Sequence, residues 1–86
     1  MNAKDIENRI WEVERIAVVI RCLANEELGD YPYVNAAEAS WTLGELINKR
    51  IIPSCGNCEV VVLDGFGQRP QRNKRLGSVR ESYHSA

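Results

Sequence analysis

Ile16-Ala-Val-Val-Ile-Arg-Cys-Leu-Ala24 is apolar on almost every side, and the rest of the 86-residue chain has to be placed around it. Upstream, Ile6, Ile10 and Val13 recur at intervals of four and three, and Ala17, Ile20 and Ala24 continue the series. That interval is the repeat of a helix burying one stripe. It predicts a single long helix over residues 3–27. At about 100° per residue the six positions occupy a sector of roughly 80°. Trp11, Val18 and Cys22 gather on nearly the opposite side, and Ile16, Val19 and Leu23 widen the stripe. A helix apolar on two sides has to be covered on two sides. The main stripe is expected against the chain's own core. The Trp11, Val18 and Cys22 side is expected against a partner, a second copy of the chain included.

Downstream, Gly29 and Asp30-Tyr-Pro-Tyr33 read as a stop and a loop, since Pro32 pushes Tyr31 away from helical geometry. Asn35 followed by Glu38 resembles a capping box, and Ala36, Ala39, Leu43, Leu46 and Ile47 supply a stripe. A second helix is therefore expected over residues 36–49, antiparallel to the first. Trp41 projects from a different side of it. Gly44 weakens its middle by about 1 kcal/mol relative to alanine.

Ile51-Ile52-Pro53 leans toward a strand, Cys55-Gly-Asn-Cys58 toward a turn, and Glu59-Val-Val-Val-Leu-Asp64 is the clearest strand in the chain. A small β-hairpin near residues 50–64 follows. Gly65-Phe-Gly67 ends it. The fold class expected is thus α+β: an antiparallel helical hairpin, a small β-hairpin and a basic carboxyl-terminal arm. The division is a compact domain over 1–67 and an arm over 68–86. In that arm Leu76, Val79 and Tyr83 have helical spacing, but Gly77 and Ser78 speak against a helix.

Charge follows the same division. Residues 1–64 hold six Lys/Arg against eleven Asp/Glu, whereas residues 65–86 hold five against one. The amino terminus is polar and acidic, and Arg21 interrupts the apolar run, so a signal peptide is not expected. No stretch approaches the roughly 18 apolar residues of a membrane span. Three cysteines, an odd number, argue against a secreted disulfide scaffold, and the cytoplasm is the expected compartment.

Candidate chemistry is sparse. One histidine stands near the end, and no serine or cysteine has a base predicted beside it, so no enzyme is expected. Cys55 and Cys58 have zinc-knuckle spacing, but a tetrahedral site needs four ligands and only Cys22 and His84 remain. No cofactor is therefore expected, with zinc at Cys55 and Cys58 as the exception to test.

The favoured function is a small non-enzymatic interaction protein. It would occupy a surface of a larger protein through Trp11, Val18, Cys22 and Trp41 and would self-associate as a homodimer. Aromatic anchors suit such a surface because they bury much area at low entropic cost. The alternative is a winged-helix-like nucleic-acid binder. Lys49, Arg50, Arg69, Arg72, Lys74, Arg75 and Arg80 would then neutralise phosphates. The same residues could instead dock an acidic protein.

Overall fold

The computed structural model describes residues 2–22, 28–56 and 58–85. Helix α1 spans Ala3–Glu14. Asn2 starts it with a reciprocal capping box. The Asp5 N–H donates to the Asn2 side chain at 2.9 Å, and the Asn2 N–H donates to the Asp5 carboxylate at 3.2 Å. The helix buries Ile6, Ile10 and Glu14, one turn apart.

The long opening helix does not form. Arg15 takes a left-handed conformation, φ 57° and ψ 38°, and its N–H closes on the Trp11 carbonyl. It is the only non-glycine residue of positive φ among the described residues. The chain then extends into strand β1, Ala17–Arg21. The reason is in the residue types. Four of the five residues Ile16–Ile20 are β-branched, each giving up about 0.5 kcal/mol in a helix relative to alanine. Their burial alternates along the strand, a period of two that the apolar residues Ala17 and Val19 on the other face disguise as continuous. The last part of the predicted helix, residues 23–27, lies outside the described residues.

Strand β2, Glu59–Leu63, forms where the valines predict it. Its partner is β1, antiparallel, from Ala17 opposite Leu63 to Arg21 opposite Glu59. The last rung places opposite charges face to face, a favourable cross-strand pair. Beyond it Cys22 and Cys58 form a disulfide. The expected hairpin with residues 51–53 is absent because those residues are helical.

Helix α2 is composite: an α turn Leu43–Leu46, a π-helical stretch Ile47–Ile51 and a final α turn Ile52–Cys55. Pro53 accounts for the wide middle. In an α-helix its ring would strike the carbonyl four residues back, and a π stretch relieves that crowding. The helix starts at Thr42, not Ala36. Thr42 and Glu45 form the capping box that Asn35 and Glu38 were expected to supply. Backbone groups between 37 and 42 are committed elsewhere: Ala37 N–H to Glu14, the Ala39 carbonyl to Gly77 and the Trp41 carbonyl to Leu76. A helix through these residues would draw the Ala39 and Trp41 carbonyls into its own ladder and away from α3.

Helix α3, Leu76–Ser85, occupies the segment read as a loose arm. Leu76 and Val79 are fully buried in the common core with Ile6, Ile10, Leu43, Leu46 and Ile51. Tyr83 ties α3 to the sheet: its hydroxyl accepts from Ala17 N–H at 3.0 Å and donates to the Leu63 carbonyl. The helical hairpin is replaced by a different arrangement, in which α1 leads into β1 and the C-terminal helix packs beside both. No helix among the described residues is long and apolar enough to cross a membrane.

Candidate functional site

The Glu14 carboxylate is the most heavily committed group in the molecule. Its position follows from α1, since it stands four residues after Ile10 on the buried stripe and is itself fully buried. Oε1 accepts from Ala37 N–H at 2.8 Å and from Arg80 Nη2 at 3.3 Å. Oε2 accepts from the Tyr31 hydroxyl and from Arg50 Nη1, both at 2.6 Å. Arg80 Nε also donates to the Glu14 carbonyl at 2.7 Å, and Arg50 Nη1 to the Asn35 carbonyl at 2.8 Å. One residue thus joins α1, the 31–37 loop, α2 and α3. A buried charge is tolerated only when paired and hydrogen-bonded in this way.

The electrostatics follow from that packing. Burial pushes the Tyr31 phenol far above its usual range, and its hydrogen bond to Glu14 and that carboxylate's charge push it further. The phenol therefore stays a donor. For Arg50, partial burial opposes the charge, but the hydrogen bond and attraction to Glu14 outweigh it and raise its pKa. Its guanidinium also stacks 4.3 Å from the Tyr33 ring and 5.3 Å from the Trp41 ring, while Lys49 Nζ lies 5.1 Å from the Trp41 ring.

This geometry reassigns several residues. Arg50 and Arg80, expected to face phosphates, hold the interior together. Arg75 donates to the Ser40 carbonyl at 2.6 Å, and Lys49 pairs with Glu45 at 3.5 Å. Arg69, Arg72 and Lys74 are exposed, and Arg69 and Lys74 border a cavity of about 340 Å³ with Gln71 and Asn73. The wing of the winged-helix layout is a turn: the Asp64 side chain accepts from the N–H groups of Phe66 and Gln68, both at 2.9 Å.

The four expected docking residues do not share a face. Val18 is buried in the sheet, Cys22 is bound to Cys58, and Trp41 is partly covered by its own cations. Trp11 alone keeps an open surface, with 40% of it exposed. It meets Tyr83 edge to face, with centroids 5.5 Å apart, and the Arg15 guanidinium lies 5.8 Å from its ring. Trp11, Arg15, Arg80, Tyr83 and His84 line a groove of about 290 Å³ between α1 and α3.

The zinc pair is also separated. Cys55 is a buried free thiol in the last turn of α2, and Cys58 is held by Cys22. Burial pushes the Cys55 thiol up, away from the reactive thiolate. Among the described residues no three His, Cys, Asp or Glu side chains are grouped to hold a metal ion.

Sequence reasoning missed Glu14, Tyr31, Arg15, Tyr83 and His84. Glu14 had a readable signal, a carboxylate at the next position of the Ile6, Ile10 stripe. Tyr83 and His84 had none without the contact between α1 and α3.

Fold and site together define a small α+β domain that has, among the described residues, three helices and a two-stranded antiparallel sheet, knotted by one buried carboxylate. Comparison with known protein families, curated proteins and solved structures found no match.

Proposed function

We propose that the protein is a small, non-enzymatic interaction module that binds and modulates a larger protein through the groove between α1 and α3. The observation that supports this reading is the Trp11 and Tyr83 pair, an aromatic floor beside a groove, whereas the other exposed large apolar side chains among the described residues, Val34, Ile52 and Phe66, line no such groove with a second aromatic ring. Tryptophan and tyrosine with a neighbouring arginine are the residue types that dominate binding hot spots. The role first given to Val18, Cys22 and Trp41 passes to Tyr83 and Arg15. The experiment is affinity capture from the native host, with wild type and Trp11→Ala compared in nuclease-treated lysate. A protein retained by the wild type and lost by a correctly folded Trp11→Ala supports the reading. Equal retention by both refutes it. Self-association is a linked expectation, and a mass independent of concentration in light scattering removes it.

A second reading has its own observation. Arg69, Arg72 and Lys74 are exposed on the 68–75 loop and have no side-chain partner among the described residues. That loop could contact nucleic acid phosphates. Binding would then weaken steeply with salt, and no electrophoretic shift at low salt ends that reading. For the compartment, the Cys22–Cys58 bond favours an oxidising setting over the cytoplasm expected from the cysteine count.

A further inference from the structure

We infer that the groove beside Trp11 takes an acidic segment of the partner, an apolar side chain lying on the indole and a nearby carboxylate held by Arg15. The inference rests on the docking reading above and supplies the partner's chemistry. Its first support is charge complementarity. The floor is aromatic, while the rim carries Arg15, Arg80 and His84 and, among the described residues, no carboxylate. The acids before Arg15 are engaged elsewhere, and Glu81, next to Arg80 in the chain, is not free either. Glu14 is wholly buried and answers Arg50 and Arg80, and Glu12 lies 3.9 Å from Arg9.

Arg15 is the group left to meet an anion. It is exposed and has no ion pair among the described residues. Its place at the left-handed end of α1 sets its guanidinium against the Trp11 ring, so one ligand can touch both. A carboxylate two residues away from an apolar side chain has the reach for this, since alternate side chains of an extended peptide share a face about 6.6 Å apart, close to the 5.8 Å between the Arg15 guanidinium and the Trp11 ring. Arg80 contributes differently. Two hydrogen bonds to Glu14 fix it in place, so it adds positive potential to the rim at no cost in side-chain order on binding. The volume, about 290 Å³, is at the lower end of the range for ligand sites and suits one or two side chains better than a cofactor.

The test uses the pentapeptide acetyl-Glu-Ser-Leu-Ser-Glu-amide and its uncharged counterpart acetyl-Gln-Ser-Leu-Ser-Gln-amide, with oligo-dT as a third probe. Emission is read in Trp41→Phe, where Trp11 is the only tryptophan. The Trp11 indole N–H resonance of the wild type gives the same readout should that variant fail to fold. The expected result is a saturable shift with the acidic peptide at about tenfold lower concentration than with the neutral one, an advantage lost in Arg15→Gln. Equal binding of both peptides overturns the acidic partner and leaves the docking reading standing. A shift with oligo-dT in preference to the acidic peptide overturns it in favour of nucleic acid. No shift with any probe overturns it as well. The docking reading falls only if Trp11→Ala also retains its captured protein.

Discussion

Replacing Glu14 by glutamine preserves the shape of the side chain and deletes its charge. The amide oxygen can still accept from two of the four donors, but the amide NH2 then faces the other two, one arginine and either the Ala37 N–H or the Tyr31 hydroxyl, and both arginines lose their counter-charge. Arg50 and Arg80 have side chains 16% and 20% exposed, which leaves each guanidinium largely desolvated with its counter-charge gone. Removing one member of a buried charged set costs about 3–5 kcal/mol. The residual exposure places this case at the lower end, about 3 kcal/mol. For a domain of this size that lowers the melting temperature by roughly 12–24 °C. Urea unfolding followed by circular dichroism measures it, with the slope unchanged and the midpoint reduced. Substituting the set as a whole, Glu14→Leu with Arg50→Met and Arg80→Met, should recover much of the loss, because no unpaired charge remains. A Glu14→Gln variant within about 0.5 kcal/mol of the wild type would refute the argument. It would mean that water already serves both arginines.

Other perturbations test other parts of the fold. Tyr31 has a folded pKa raised above its unfolded value of about 10, so the unfolded state releases its proton first as pH rises. Stability should be level below about pH 10 and fall above it, a decline that Tyr31→Phe makes shallower in denaturation midpoints taken from pH 8 to 11. Reducing the disulfide, or Cys22→Ser, opens a loop with a sequence separation of 36 and should cost about 4 kcal/mol on the chain-entropy account. Unchanged midpoints with and without reductant would remove the bond from the fold's support. Gly65→Ala drives a Cβ into the Ser82 backbone and should destabilise by about 1–3 kcal/mol. Ala at Gly67, where nothing lies within 4 Å but φ is +76°, tests backbone strain alone.

What the sequence made legible was set by local chemistry. The Ile6, Ile10 and Val13 stripe placed α1, and Val60-Val-Val-Leu63 marks β2, because a helical repeat and a β-branched run each carry their own signal, whereas the Asn2–Asp5 capping box went unread. The opening helix was over-extended because a fully apolar stretch fits two periods at once. Ile6, Ile10, Val13 and Ala17 favour the helical repeat, while the β-branched character of Ile16–Ile20 favours extension. Tertiary pairing with β2 decided between them. The helical Ile51-Ile52-Pro53 was read as a strand for the same reason, with Pro53 taken as a terminator when a π stretch accommodates it. Helix α3 was legible in Leu76, Val79 and Tyr83. Gly77 concealed it, yet a Cβ there would lie 3.1 Å from that of Ala39, so the glycine reflects close packing and not disorder.

The basic residues show that a charge count alone does not say which cations are free to bind. Seven cations were grouped by their density in the sequence. The fold divides them by depth. Arg50 and Arg80 turn inward to one carboxylate, Arg75 fastens the loop before α2, and Lys49 pairs along its own helix. Arg15, uncounted because it stands in the acidic half, is the cation beside the open indole. Arg80 belongs to both systems, since it answers Glu14 and lines the groove. The buried knot therefore does more than stabilise the chain. It fixes one wall of the aromatic groove against α1, so on the proposed reading a partner would meet a surface already ordered by interactions inside the domain.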